Sequence, residues 1–223
     1  MKLNQYIDHT LLKPEASLSQ IEKLCQEARE HNFFSVCINS YYVKPCVELL
    51  RGSNVKVCTV VGFPLGASTM ETKRFEAMKA IAEGAKEVDM VLNISAVKSG
   101  NWQYVLDDMS SLSQVCHQQG AILKVILETC LLTQEEKKKS CELAVKAGVD
   151  FVKTSTGFST AGATIEDIKL MRSIVGPDMG VKASGGIRNT ETAMAMIEAG
   201  ATRLGVSASV DIVNGINAGA GTY

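Results

Sequence analysis

Charged side chains recur inside segments that otherwise have the composition of buried strands. Lys153 and Lys182 each follow a valine in an apolar run, and Asp89 lies between a valine and a methionine. Both faces of a strand are buried in a parallel sheet that helices cover, and a buried charge is costly unless it is paired. An ion-pair network at strand ends would explain one such residue, whereas recurrence on several strands indicates a functional cluster.

Polar residues occupy one parity of the predicted strands. Side chains alternate between the two faces of a strand, so we predict that this parity faces a common interior and that the apolar parity faces the helices. The interior set consists of Asp8, Thr10, Cys37, Asn39, Thr59, Asp89, Asn93, Lys124, Glu128, Lys153, Ser155, Lys182 and Ser184. Cys58 and Val60 belong to the outward set on the same reasoning.

The interior set predicts the chemistry of an activated amine. A lysine beside a second cation in a low-dielectric pocket loses its proton more readily and can form a Schiff base with a carbonyl. Lys153 and Lys182 lie on consecutive predicted strands at similar depth, and Asp89 can move protons directly or through a water. We therefore expect carbon–carbon bond chemistry at an aldehyde or ketone, with no metal and no organic cofactor because the iminium is the electron sink.

Turns rich in glycine and hydroxyl residues follow three of the late strands. They are residues 154–157 (TSTG), 184–188 (SGGIR) and 204–207 (LGVS). Glycine lets a backbone approach a ligand closely, free N–H groups at a helix start bind anions, and barrels frequently bind phosphate after strands seven and eight. These turns predict a phosphorylated small-molecule ligand.

Eight apolar runs separated by amphipathic stretches must position these residues. Strands are predicted at 6–9, 35–39, 56–61, 88–93, 122–128, 150–154, 180–184 and 203–206. Helices are predicted from Ser19, over 70–83 with Phe75, Met78 and Ala82 at helical spacing, from Thr133 with Glu136 as capping partner, and over 190–199. The alternation predicts an α/β protein, a (β/α)8 TIM barrel. A doubly wound sheet is the alternative, but no GxGxxG follows the first strand.

Length and composition limit the class of protein. The 223 residues suit a single domain, predicted over 1–213 with a Gly/Ala-rich tail at 214–223. The 23 basic and 24 acidic residues argue against a nucleic-acid partner, and neither a membrane-spanning run nor a secretory signal is evident. Seven cysteines without CxxC pairs and three scattered histidines argue against a disulfide framework or a structural metal. We expect a cytoplasmic homo-oligomer, with a dimer favoured by base rate.

Together these motifs resemble the deoxyribose-phosphate aldolase family. The matching stretches are 7–14, 36–39, 61–66, 87–91, 123–129, 151–158 and 181–188, and the resemblance extends from Asp8 to about Ser209. It implies a class I aldolase on a TIM barrel. Such an enzyme reversibly cleaves 2-deoxy-D-ribose 5-phosphate into acetaldehyde and D-glyceraldehyde 3-phosphate, a step of deoxyribonucleotide catabolism.

The resemblance also implies residue roles. Lys153 is then the Schiff-base lysine, Lys182 the second lysine that activates it and relays protons, and Asp89 the proton donor and acceptor. Asp8 and Lys124 match polar positions of the family's pocket. The full set of expected substrate contacts is Asp8, Thr10, Cys37, Lys124, Thr156, Gly157, Ser184, Gly185, Gly186, Gly205 and Ser207, of which Gly157, Gly185, Gly186, Gly205 and Ser207 match phosphate-binding turns.

Two positions depart from the family pattern. Phe158 stands where some members have a phosphate-holding lysine, and Ala208 stands where some have a second serine, so backbone N–H groups are expected to carry more of the phosphate binding. Tyr223 ends the chain, as in members whose tail tyrosine assists proton transfer; a tail without this role is the alternative, because this tail is shorter.

Two other classes of function stay open on the residues alone. One is a different barrel enzyme acting on a phosphosugar, such as a transaldolase or an isomerase. The other is a phosphosugar-binding barrel that forms no imine.

Overall fold

Eight parallel strands close into a barrel in the computed structural model, which describes residues 2–216. The strands are β1 (Ile7–Leu11), β2 (Ser35–Ile38), β3 (Lys56–Val61), β4 (Glu87–Val91), β5 (Ile122–Ile126), β6 (Phe151–Lys153), β7 (Gly180–Ser184) and β8 (Arg203–Val206). Each strand pairs with the next along the chain, and β8 pairs with β1. The predicted TIM barrel is confirmed, whereas Tyr223 lies outside the described residues.

An outer layer of α-helices covers the barrel. Within residues 2–216 they are α1 (Leu18–Glu30), α2 (Val43–Leu49), α3 (Met70–Ala82), α4 (Ile94–Lys98), α5 (Trp102–Gln118), α6 (Gln134–Lys146), α7 (Ile165–Val175), α8 (Thr190–Glu198) and α9 (Ser209–Val213). The capping box predicted at Thr133 and Glu136 begins α6, where it satisfies backbone N–H groups of the first turn. None of the helices in this range is both long and apolar enough to span a membrane.

The ends of β4 and β5 differ from the prediction for local reasons. The side chain of Asn93 accepts a hydrogen bond from the Ala96 N–H and caps α4, so β4 stops at Val91. Glu128 has φ +55°, in the left-handed region, so β5 stops at Ile126. The bounds of β3, β7 and β8 match the prediction at both ends.

The buried face of α3 differs from the one that its apolar spacing suggests. Phe75 is 72% exposed and Met78 is 44% exposed, and Ala82 is exposed as well. The buried residues of this helix are Lys73, Ala77, Ala80 and Ile81. The spacing predicted the helix correctly but placed its apolar side chains on the wrong side, because a paired lysine takes a position in the interior.

Lys73 ties α3 to α5 and to the end of β4. Its Nζ lies 2.5 Å from Asp108 Oδ2 and donates to the Val91 carbonyl oxygen at 2.9 Å, and both charged side chains are fully or almost fully buried. Removing one partner of a buried pair leaves the other charge without compensation, which is strongly destabilising. This pair therefore fixes the strand that carries Asp89.

Replacing Lys73 by methionine keeps the length of the side chain and removes its charge. We expect the free energy of unfolding to fall by about 3–5 kcal/mol, because Asp108 is left buried without its cation. Chemical denaturation followed by circular dichroism measures the loss. Lys79→Met is the matched control, since Lys79 pairs with Glu83 on the exposed surface of the same helix, where a pair contributes about 0–1 kcal/mol. Equal losses in the two variants would contradict this role.

Candidate active site

Charged side chains from six strands meet inside the barrel. The interior cluster, as we name it, consists of Asp8, Glu87, Asp89, Lys124, Lys153, Lys182 and Arg203, each at most 5% exposed. Ion pairs at 4.0 Å or less connect all seven members. The predicted interior parity therefore brings Asp8, Asp89 and the three lysines together.

Asp89 is the centre of the interior cluster. Its Oδ1 accepts from Lys124 Nζ at 2.8 Å, and its Oδ2 accepts from Lys153 Nζ and from Lys182 Nζ, each at 2.9 Å. Burial opposes ionisation, but the three ammonium groups overcome it and hold the pKa of Asp89 well below its usual range. Asp89 is therefore a carboxylate, able to accept a proton rather than to supply one at the start of a reaction.

Lys182 and Lys124 are held as cations. Lys182 pairs with both Asp8 and Asp89, and despite the opposing effect of burial these carboxylates raise its pKa above the ordinary value. Lys124 pairs with Glu87 at 2.5 Å and with Asp89, and its pKa is raised well above the ordinary value for the same reason. Both amines therefore provide fixed positive charge beside the third lysine.

Lys153 forms fewer ion pairs than the other three cations of the interior cluster. It ends β6, at the carboxyl end of the barrel, where active sites of this fold open. Its register partner is Lys182, and the two amines donate to the same oxygen of Asp89, so they are neighbours as predicted. Lys153 makes one ion pair of the cluster, whereas Lys124, Lys182 and Arg203 each make at least two.

The charges of the interior cluster do not balance. Three carboxylates, of Asp8, Glu87 and Asp89, face four cationic side chains. Lys153 is the cation of this cluster with the fewest ion pairs. The geometry therefore singles out Lys153 as the amine able to become a nucleophile.

Unpaired backbone donors lie in the loops that follow β6, β7 and β8, on the rim of the barrel at its carboxyl end. Gly157, Gly185 and Gly186 have φ between +80° and +86°, and their N–H groups, with that of Ser207, donate to no protein acceptor in the region 2–216. The loop containing Gly162 packs directly on Gly185, because a Cβ on Gly162 would lie 2.2 Å from the Gly185 carbonyl oxygen. Such donors form the type of surface that binds an anion.

Comparison with known proteins agrees with this arrangement. The family model described as "DeoC/LacD family aldolase" matches residues 2–220. A deoxyribose-phosphate aldolase of Brevibacillus brevis is 64% identical over 215 residues, which cover 96% of each chain. The chain belongs to the DeoC/LacD aldolase family.

Solved structures of aldolases share the fold of this DeoC/LacD aldolase. The aldolase QR15 superposes with a TM-score of 0.90 at 42% identity, covering 95% of this chain and 94% of that one. A deoxyribose phosphate aldolase from Aeropyrum pernix, described as having a unique tetrameric structure, has a TM-score of 0.89 at 34% identity and covers 95% and 89% of the two chains.

In this DeoC/LacD aldolase the prediction for β3 is wrong. Cys58 faces the interior, with its Sγ 3.2 Å from Asp89 Oδ1 and 3.3 Å from Lys124 Nζ, next to Cys37 of β2. Thr59 has the opposite orientation, and its hydroxyl donates to the Ile38 carbonyl oxygen at 2.8 Å. β3 carries no charged residue after Lys56, so its sequence does not reveal which parity faces the cluster.

Two members of the interior cluster were missed by sequence reasoning. Arg203 pairs with Asp8 at 2.8 Å and with Glu87 at 3.1 Å, and its guanidinium lies 3.5 Å from the centroid of the Phe34 ring. Glu87 begins β4 and Arg203 begins β8, at the amino-terminal end of the barrel. The sequence did hold a signal for Glu87. It lies two residues before Asp89, so its side chain belongs to the same face of β4.

Several of the expected substrate contacts already have protein partners. The Thr10 hydroxyl donates to the Asp8 carbonyl oxygen at 2.8 Å, and the Ser184 hydroxyl donates to the Ser155 carbonyl oxygen at 2.7 Å. The Thr156 hydroxyl donates to the Glu128 carboxylate. These side chains therefore stabilise the loops and strand ends of the site by hydrogen bonds within the protein.

Gly205 lies within β8 and makes room for Lys182. A Cβ at this position would lie 2.9 Å from Lys182 Cε and 3.1 Å from Ser184 Cβ. A side chain at this position would therefore press on the end of Lys182 where it reaches across the barrel to Asp8 and Asp89. Gly205 therefore affects the interior cluster by leaving room for the side chain of Lys182.

Gly205→Ala tests whether the path of Lys182 matters for turnover. The added methyl group must displace the lysine from the two aspartates, and misplacement by about 1 Å can cost about 100-fold in rate. We expect kcat of the aldolase, measured well below the melting temperature, to fall at least tenfold, with some loss of stability because buried ion pairs are disturbed. The control is Gly52→Ala, at a remote turn with nothing within 4 Å of the new methyl group; its φ of +79° makes the substitution destabilising, but kcat should not change. Unchanged kcat in Gly205→Ala would contradict this role.

Proposed function

We propose that this aldolase cleaves 2-deoxy-D-ribose 5-phosphate reversibly into acetaldehyde and D-glyceraldehyde 3-phosphate, with Lys153 as the nucleophile. The observation that carries the proposal is the position of Lys153, the least-paired cation of a cluster with surplus positive charge, at the open end of the barrel. The name of the Brevibacillus brevis relative, at 64% identity, supports this choice of substrate.

The proposed reaction starts with attack of the neutral Lys153 amine on C1 of the open-chain sugar. Loss of water from the carbinolamine gives an iminium between Nζ and C1. Removal of the proton of the C3 hydroxyl then lets the C2–C3 bond break, and the bonding electrons pass into the iminium to form an enamine. D-glyceraldehyde 3-phosphate leaves first. Protonation of C2 and hydrolysis of the imine release acetaldehyde and restore the amine.

Asp89 and Lys182 are proposed to handle the protons of these steps. The Asp89 carboxylate lies 2.9 Å from Lys153 Nζ and is ionised, so it can accept a proton directly or through a water. Lys182 shares the same carboxylate oxygen and keeps its charge, which favours the neutral form of the neighbouring amine. Lys124 and Asp8 complete the polar wall of the pocket.

The substrate phosphate is proposed to bind at the rim, through the N–H groups of Gly157, Gly185, Gly186 and Ser207. This set supports a site in which the backbone rather than a side chain neutralises the anion. Phe158 follows Gly157 in place of a lysine and packs edge to face against Phe63, with ring centroids 5.3 Å apart. The aromatic pair borders the proposed phosphate site and adds no charge to it.

The cellular setting and the assembly are part of the same proposal. All seven cysteines are free thiols, which suits the reducing cytoplasm. The substrates are a small phosphorylated sugar and aldehydes, with no nucleic-acid or membrane partner. A homo-oligomer is supported by the tetrameric relative from Aeropyrum pernix and by the exposed aromatic side chains of Tyr41 and Phe75.

Trapping with acetaldehyde and borohydride tests the nucleophile. Reduction of the imine adds an ethyl group, and we expect a single adduct, which peptide mapping places on Lys153. Lys153→Leu should give no adduct and no cleavage of 2-deoxy-D-ribose 5-phosphate, whereas Lys79→Leu, on the exposed surface, should behave like the wild type. Adducts scattered over surface lysines, or cleavage that survives in Lys153→Leu, would contradict the proposal.

The pH dependence of trapping tests the role of Lys182. A neighbouring cation favours the neutral amine, so its removal lets Lys153 keep its proton up to a higher pH. We expect Lys182→Leu to move the pH of half-maximal trapping upward by about one unit or more. A trapping curve identical to that of the wild type would show that the second lysine does not activate the first.

A further inference from the structure

Glu128 is a buried carboxylate beside the proposed phosphate site that the reaction scheme does not use. It is 2% exposed and follows the end of β5. Its Oε2 accepts from the Thr156 hydroxyl, and its Oε1 accepts from the Thr156 backbone N–H at 3.3 Å. Two hydrogen bonds to one residue of a neighbouring loop indicate a role in fixing that loop.

The contacts of Glu128 continue to Gly157 through Thr156. The Thr156 hydroxyl oxygen, whose proton is donated to Glu128, accepts the Phe158 N–H at 3.0 Å. Gly157 therefore lies between two residues whose orientations are both fixed by this chain of hydrogen bonds. Its own N–H is left without a protein acceptor in the described region.

The backbone of Glu128 is held in an unfavourable conformation to make these contacts. Its φ of +55° and ψ of +62° lie in the left-handed region, which residues with a side chain seldom adopt. The Thr129 N–H donates to the Thr154 carbonyl oxygen at 3.0 Å, which joins this turn to the segment after β6. Such local strain persists only where the surrounding structure enforces it, and it is concentrated at functional sites.

We propose that Glu128 is a positioning residue for phosphate recognition, which acts by holding Thr156 so that the Gly157 N–H points at the phosphate of the substrate. The proposal rests on the proposed function for the identity of the anion. Glu128 touches neither the amine of Lys153 nor the substrate in this scheme. Its loss should therefore weaken binding of phosphorylated ligands specifically, and binding of the same ligands without phosphate should be preserved.

A pair of unreactive ligands separates this role from catalysis. 2-Deoxyribitol 5-phosphate and 2-deoxyribitol lack the carbonyl group, so neither can form an imine, and they differ only in the phosphate. Isothermal titration gives Kd for both ligands in wild type and in Glu128→Ala. We expect Glu128→Ala to raise Kd for the phosphorylated ligand roughly tenfold, in line with the loss of hydrogen bonds to a charged group, and to leave the other ligand unaffected.

Matched variants distinguish positioning from general damage to the fold. Thr156→Val removes the hydroxyl from the other side of the contact and should reproduce the phosphate-specific loss. Glu128→Gln keeps one acceptor oxygen and should recover part of the affinity. Thr129→Val is the control. The Thr129 hydroxyl, next to Glu128 in sequence, is buried and has no hydrogen-bond partner among the described residues. This variant should bind both ligands like the wild type.

Steady-state kinetics complete the test. Glu128→Ala should raise KM for 2-deoxy-D-ribose 5-phosphate by a larger factor than it changes kcat, since the carboxylate acts on Lys153 only through its charge and forms no hydrogen bond to the amine. Equal weakening of both ligands, unchanged Kd in Glu128→Ala and Thr156→Val, or a fall in kcat alone would each overturn the inference. A wild type that binds the phosphorylated ligand more tightly but does not cleave the sugar phosphate would overturn the proposed function and not the role of Glu128.

Discussion

The buried carboxylate of Asp89, shared by three lysines, is the interaction on which the rest of the site depends. A single buried carboxylate cannot neutralise three ammonium groups, so Asp8 and Glu87 supply further negative charge. Even so, one positive charge is left over once Arg203 is included. Lys153 is the lysine with the fewest ion pairs in this cluster. The proposed reactivity of Lys153 rests on this charge balance.

The barrel provides this balance through register and space. Lys153 is opposite Lys182 on paired strands, and Asp89 is opposite Lys124, so closure of the sheet determines which charges meet. The lack of a side chain at Gly205 leaves the path that Lys182 needs. At the amino-terminal end, Arg203 and Glu87 pair beneath the ring of Phe34 and fill the interior. Lys153 lies at the other, carboxyl end of the barrel, where the glycine turns lie.

Sequence patterns predicted the barrel and most of the interior cluster because each strand with a charged residue marks its own inward parity. Sequence reasoning missed Glu87 and Arg203, which begin their strands, and it failed where no charge marked the inward face. On β3 no charge distinguishes the two faces, and Cys58 was assigned to the wrong one. On α3 a lysine lies inside and Phe75 outside, since Lys73 finds its partner Asp108 on another helix, 35 residues away. Partners so distant in sequence become visible only when the fold brings them together.

The proposed reaction chemistry and the proposed anion recognition belong to separate layers that meet on one short segment. Lys153 and Gly157 are four residues apart on the segment that begins with β6, yet they are held by different carboxylates, Asp89 for the amine and Glu128 for the turn. Two independent anchors let the rim change without disturbing the charge balance below it. Replacement of a side chain beside Gly157, as at Phe158, then alters how a ligand is held while the ion pairs around Asp89 stay intact. Substrate preference in such a barrel can therefore diverge while the amine keeps its reactivity.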